Sequence, residues 1–180
     1  RVLAEFDAGG LEDDPELEAI VQFAARLCGV PASMVTLIDG RRQYFLARTG
    51  VEERETPREL AFCTYALGRS DMMEVPDATL DPRFAANPLV TGWPGVRFYA
   101  GQPLVSPEGQ PLGALCVLDT KARSAGLSSK QAAALGLLVK PGGIVAFVGD
   151  AAAAVEFEDP LRDVVEEVAV VGDGRSEERR

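Results

Sequence analysis

The 180-residue sequence predicts an α+β fold: an antiparallel sheet with helices from the two ends of the domain on one face and a looped wall on the other. Three observations predict it. The chain carries two hairpin patterns, two capped amphipathic helices bracket them, and a Pro- and Gly-rich connection between the hairpins holds too many apolar groups to be a plain linker.

The hairpin with most to bury runs from Arg97 to Asp119. Two apolar runs, Phe98 to Val105 and Leu112 to Leu118, flank Ser106-Pro107-Glu108-Gly109, where Pro107 presets φ for a turn and Gly109 accepts positive φ. Leu112, Ala114, Cys116 and Leu118 alternate with Gly113, Leu115 and Val117. Neither face is polar, so this strand belongs in the middle of a sheet covered on both sides.

Residues 1–12 show no sustained period and read as a lead-in. Asp13-Asp14-Pro15-Glu16 then combines a capping carboxylate, a proline for the first turn and acids near the positive end of the helix dipole. The helix it starts places Leu17, Ile20, Val21, Ala24 and Leu27 or Cys28 on one stripe and stops at Gly29 and Pro31. A second hairpin follows, Ser33 to Asp39 and Gln43 to Arg48 joined at Gly40-Arg41 and ended by Gly50. Val51 to Pro57 reads as a charged loop, Arg58 to Leu67 as a short helix and Met72 to Val75 as a short strand. Ala78 to Gly95 is the long connection; its Leu80, Phe84, Leu89, Val90 and Trp93 require it to fold back as a lid or wall. Ser128 and Gln131 form a capping box with Leu127 placed to staple onto Ala132, and the helix they open carries Ala132, Leu135, Leu138 and Val139 up to Pro141-Gly142-Gly143. Beyond it, Ile144 to Val148 is a candidate strand, Ala151 to Ala154 is low in complexity, Asp159-Pro160 can cap a helix, and the segment from Gly172 is expected to be disordered.

Composition narrows the function. The net charge is −10, and residues 141–180 hold 10 of the 28 acidic side chains against 4 of the 18 basic ones. Such a surface does not suit nucleic acid or an anionic membrane, both of which call for clustered Lys and Arg. Histidine is absent, which removes His-ligated haem, the usual His-bearing zinc sites and His-based nucleophile systems. Cys28, Cys63 and Cys116 are far apart in sequence, have no metal-knuckle spacing and sit in apolar surroundings, as buried free thiols do. The chain has neither a bilayer-length apolar run nor a secretion-signal pattern, so a cytoplasmic location is expected. The initial Arg suggests a piece of something longer.

Several segments together resemble a GAF domain of the subtype attached to bacterial sensor kinases and diguanylate cyclases: Pro31 to Phe45, Phe62-Cys63-Thr64-Tyr65-Ala66, Val75-Pro76-Asp77-Ala78, Asp81-Pro82-Arg83-Phe84-Ala85, Asn87-Pro88-Leu89-Val90, Arg97 to Leu104 and Gly113 to Asp119. The resemblance spans about Leu11 to Val139 and divides the chain into a lead-in over 1–10, a GAF-like sensor domain over 11–140 and an acidic extension over 141–180 that resembles no part of the family. It implies an antiparallel sheet of five or six strands, terminal helices on one face, and a small-molecule pocket or its remnant walled by the long loop. Carried over by motif, Phe62, Cys63, Thr64, Asp77, Arg83, Phe84, Phe98, Tyr99 and Gly101 lie nearest that pocket. The plainer alternatives are core packing for the aromatic residues and a loop cap or ion pair for Asp77 and Arg83.

The resemblance implies a non-catalytic sensing or protein-interaction module of a cytoplasmic signal-transduction protein, such as a two-component system. Its partners would be an attached or associated output domain (kinase, cyclase or phosphatase) and a second copy through the terminal helices, with no nucleic acid or membrane. No resident cofactor is expected: bilin attachment commonly pairs Cys with His, and haem needs a His, so any ligand would be a small molecule of unidentified class. The alternatives are a structural or dimerisation spacer with a collapsed pocket, and a thiol enzyme that reduces free methionine sulfoxide. The last requires an exposed low-pKa thiolate and a cysteine pattern that Cys63 and Cys116 do not reproduce.

Overall fold

The computed structural model describes residues 13–139 and the backbone of Lys140 and of residues 143–144. Helix α1 spans Pro15–Cys28. The Asp14 carboxylate accepts hydrogen bonds from the backbone N–H groups of Glu16 (2.8 Å) and Leu17 (3.2 Å), two of the donors that a helix start leaves without partners. At the other end Gly29 takes the left-handed conformation (φ 62°), which a Cβ would penalise. Ile20, Val21, Ala24, Ala25 and Cys28 form the buried face, so the stripe turns on Cys28, with Leu27 only packed beside it.

The chain then builds a six-stranded antiparallel sheet. Strands β1 (Ala32–Ile38), β2 (Arg42–Thr49), β3 (Glu55–Pro57), β4 (Met73–Val75), β5 (Phe98–Val105) and β6 (Pro111–Asp119) lie in the order β3-β2-β1-β6-β5-β4. The apolar strands β1 and β6 take the middle, each covered on both faces, and Thr36 Oγ1 spends its hydrogen bonds on the Ala114 carbonyl (3.2 Å) and N–H (3.3 Å). At Gly113 a Cβ would stand 1.9 Å from the Thr36 carbonyl oxygen, so only glycine lets these two strands close. The expected charged loop from Val51 to Pro57 is corrected in its last third. Glu55–Pro57 pairs with Arg42, Gln43 and Tyr44 as an edge strand too short to show a period, and Arg42 and Glu55 form an ion pair beside it. Leu112 also departs from the expected face. The register shifts so that Leu104 faces Gly113 but Val105 faces Pro111; the extra residue turns Leu112 to the side of Leu115 and Val117.

Two apolar cores sandwich the sheet. On one side α1 and α3 (Ser129–Leu137) pack with Val35, Leu37, Leu46, Phe98, Leu115 and Val117. The capping box of α3 forms as expected: Ser128 Oγ accepts from Gln131 N–H (3.2 Å) and Gln131 Oε1 from Ser128 N–H (3.0 Å). The helix ends sooner than its apolar stripe suggests, because Val139 and Lys140 form strand β7, paired with β8 (Gly143–Ile144). On the other side lies the wall. Instead of one helix over Arg58 to Leu67, two 3-10 turns occupy Arg58–Leu60 and Phe62–Tyr65, separated by Ala61 in an extended conformation. The long connection folds back as turns around the short helix α2 (Pro88–Thr91), and buries Ala78, Phe84, Val90 and Val96. Leu80 and Trp93 do not join it; they are 81% and 79% exposed. The remaining expectations, for the lead-in, for Val145 to Val148, and for the segments from Ala151 onward, lie outside the described residues.

Candidate functional site between sheet and wall

The residues that the motifs single out converge on the space where the wall meets the sheet, and side chains fill that space. The sheet sends Met34, Ile38, Phe45, Tyr99, Ala114 and Cys116 into it, and the wall returns Phe62, Cys63, Ala66, Phe84, Val90 and Val96. Phe62 stacks flat on Phe84, with ring centroids 4.1 Å apart and planes 4° from parallel, and meets Tyr99 at 5.4 Å. Tyr65 closes on the outer side, edge-on to Phe84 at 5.0 Å. An aromatic stack of this kind adds roughly 0.5–1.5 kcal/mol per pair to the burial of its rings.

Tyr99 reaches across the face of its own strand. Gly101 follows two residues later on the same side, and a Cβ there would fall 2.0 Å from the tyrosine oxygen. Glycine thus opens the channel along which the ring lies, and the hydroxyl at its end donates to Cys63 Sγ (3.3 Å). Cys116 stands opposite Gly101 on β6 and brings its sulfur to 3.6 Å from that of Cys63. The two thiols are electrostatically unequal. Contact with Cys116 lowers the pKa of Cys63 against the opposing effect of its burial, with the Tyr99 donor adding to the lowering, whereas contact with Cys63 and burial push that of Cys116 well up. Burial, with the neighbouring sulfurs, also raises Tyr99 far above a free phenol, so it stays a protonated donor. Cys28 belongs to the other core, where burial lifts its thiol to about 11.

Of the nine expected site residues, Phe62, Cys63, Phe84, Tyr99 and Gly101 come together here. Phe98 does not, because its neighbour Tyr99 faces the wall and alternation along β5 turns Phe98 into the helix-side core, under the Arg123 guanidinium at 5.3 Å. Thr64, Asp77 and Arg83 sit at the rim. Thr64 Oγ1 donates to the Arg58 carbonyl (3.0 Å). Asp77 accepts from the Thr79 hydroxyl (2.6 Å) and N–H (3.0 Å), bonds that depress its pKa. Arg83 holds Asp81 through Nε (3.0 Å) and Nη2 (2.6 Å) and lies over the Phe84 ring at 5.1 Å. Asp77 and Arg83 therefore brace two separate turns. An open cleft of about 510 Å³ lies beside Thr64, lined by Gly40, Arg41, Arg58, Glu59, Thr64 and Tyr65 and not by Asp77 or Arg83.

Sequence reasoning missed two contributors. Cys116 escaped because the bulge at Leu104/Val105 offsets the register: counted back from the Val105–Pro111 pair, Gly101 would face Leu115, whereas it faces Cys116. Asn87 gave less warning: its Oδ1 caps α2 by accepting from Leu89 N–H (2.9 Å), and its Nδ2 donates to the Leu60 carbonyl (3.1 Å), tying the two halves of the wall.

The sequence model of the GAF domain family matches residues 14–140, most of the chain. The chain belongs to the GAF domain family. A cyclic di-GMP phosphodiesterase of Pseudomonas aeruginosa is 46% identical to this GAF domain over 110 residues, which make up 61% of this chain and 19% of that protein. The chain thus spans about a fifth of that relative's length. Among solved structures, a type II free methionine-R-sulfoxide reductase from Thermoplasma acidophilum superposes with a TM-score of 0.55 at 16% identity, covering 72% of this chain and 86% of that one. The GAF domain of a phosphoenolpyruvate-protein phosphotransferase from Coxiella burnetii does so with a TM-score of 0.50 at 18% identity, covering 69% and 79%. At these identities the likeness is one of fold. Among the described residues no helix is long and apolar enough to cross a membrane, and no three of the Cys, Asp and Glu side chains are grouped to hold a metal ion.

Proposed function

We propose that this GAF domain is a non-catalytic regulatory module of a larger cytoplasmic signalling protein, acting through contacts with an output domain or a second copy and without enclosing a ligand. The observation that carries this reading is the filled interior: Phe62, Phe84 and Tyr99 occupy the space where a small molecule would lie between sheet and wall. The phosphodiesterase relative, with 19% of its length matched, supports a GAF domain working beside a separate output domain in a longer protein.

The described residues also tie the β4 edge of the sheet to the terminal helices. Glu74 on β4 accepts from Leu127 N–H (3.1 Å), Gln131 Nε2 donates to the Leu27 carbonyl (3.0 Å) and Arg123 Nη2 to that of Gly29 (3.0 Å). The edge of the sheet, the start of α3 and the end of α1 are therefore bonded to one another, and a partner that favours one packing of these helices would shift their population.

A second reading places a small anionic ligand in the open cleft, whose volume is of ligand size and whose lining sets Arg41 and Arg58 against one carboxylate, Glu59, with Arg58 also donating to the Asp39 carbonyl. One thermal-shift series separates the two. With cyclic di-GMP, cyclic mononucleotides and nucleoside phosphates, the regulatory-contact reading expects no rise in Tm, since a ligand confined to the native state at 100 times its Kd would add about 2.7 kcal/mol. A dose-dependent rise that Arg58→Ala abolishes would establish the cleft as a ligand site. Turnover of cyclic di-GMP or methionine sulfoxide by the purified chain would overturn the non-catalytic assignment.

A further inference from the structure

We propose that Cys63 and Cys116 form an oxidisable dithiol, a modification site at which a hydroperoxide closes a disulfide between the wall and the central strand of the sheet. The inference rests on the chemistry of the pair and stands whatever the module regulates. At 3.6 Å the two sulfurs are in van der Waals contact, leaving no room for an atom between them, and a disulfide bond of about 2.05 Å needs them to close by about 1.5 Å more. Cys63 lies on a short 3-10 turn of the wall and Cys116 on β6, so the turn can make most of that approach while the strand stays in register.

The surroundings favour one order of events. Cys63 has Cys116 and the Tyr99 hydroxyl as neighbours able to donate to a thiolate, while Cys116 in its apolar strand is held protonated. Both thiols are buried, so peroxide enters when the wall turn that carries Cys63 opens locally. The Cys63 thiolate then attacks one oxygen of hydrogen peroxide; the O–O bond breaks, hydroxide leaves and takes up a proton as water, and Cys63 becomes a sulfenic acid. Cys116 sulfur then attacks the sulfenic sulfur, losing its proton to the departing hydroxyl. The S–O bond breaks, a second water leaves and the S–S bond forms. Two thiols supply two electrons and one peroxide accepts them. Cys28 lies in the core on the far side of the sheet from Cys63 and Cys116, with a thiol near 11, and serves as the internal control.

The full chain treated with hydrogen peroxide at neutral pH and read by intact mass is expected to lose two hydrogen atoms. Digestion without reductant should then give one Cys63–Cys116 cross-linked peptide and a Cys28 still open to alkylation after denaturation. Cys116→Ser should stop at a Cys63 sulfenic acid that a dimedone-type reagent captures, and Cys63→Ser should show neither product. Because either variant can perturb the core, a second arm refolds the wild-type chain in a glutathione redox buffer, where Cys63–Cys116 is expected to outnumber the two pairings that involve Cys28 by at least about tenfold, as the contact distance requires. Three free thiols after peroxide, a disulfide through Cys28, a near-equal mixture of pairings, or a Cys63–Cys116 bond that forms only on refolding would each overturn the proposal.

Discussion

At the scale of single residues, Asp81-Pro82-Arg83-Phe84 divides its labour unevenly. Phe84 is fully buried and stacked on Phe62, so Phe84→Ala leaves a cavity inside a close-packed layer and is expected to cost about 3–5 kcal/mol. Arg83 is a surface brace whose side chain is 39% exposed and whose partner Asp81 is two residues away. Solvent screens that pair, and Arg83→Ala is expected to cost about 1 kcal/mol or less. Urea midpoints of the two variants check this ordering; a larger loss at Arg83 would mean that the guanidinium carries the wall. The sequence could name both residues, because their motif is local, but it could not separate their roles, which depend on what lies across the sheet. Phe98 and Tyr99 show the same limit. Adjacent aromatic residues on a strand must face opposite ways, and only the register decides that Tyr99 meets Cys63 while Phe98 packs under the helices.

At the scale of elements, what is encoded locally was readable. Asp14, Gly29, the Ser128–Gln131 box and both hairpin turns act within a few residues of themselves, and each stands where its chemistry places it. What depends on distant pairing was not. Strand β3 exists because β2 offers an edge, the Leu112 bulge because Val105 pairs with Pro111, and the two 3-10 turns because Ala61 is extended between them. The wall has no regular ladder; backbone bonds within its turns, such as Val96 N–H to the Leu89 carbonyl (2.8 Å), hold it together with side chains. Asn87→Ala removes both the α2 cap and the bond to Leu60 and is expected to cost about 1–2 kcal/mol, whereas Asn87→Asp keeps the cap and loses only the bond to Leu60. Amide exchange of Leu60, Phe62 and Leu89 in the two variants tests this: Asp should leave Leu89 protected while the protection of the Phe62 turn falls.

At the scale of the whole molecule, a sheet with two covered faces makes one domain of two cores. The helix-side core was predictable from amphipathic stripes that repeat along α1 and α3. The wall-side core was expected as a pocket or its remnant, with core packing of the aromatic residues as the plainer alternative. The sequence could not choose between them because packing density is a property of side chains brought together from β1, β2, β5, β6 and the wall, which no local pattern reports. That density is the central claim, since the proposed role in passing on contacts without enclosing a ligand rests on it. Native mass spectrometry of freshly purified protein tests it most directly. A filled interior predicts ions of the bare 19.2 kDa chain or whole multiples of it, with no retained small molecule. A stoichiometric adduct that survives desalting and disappears on unfolding would contradict it.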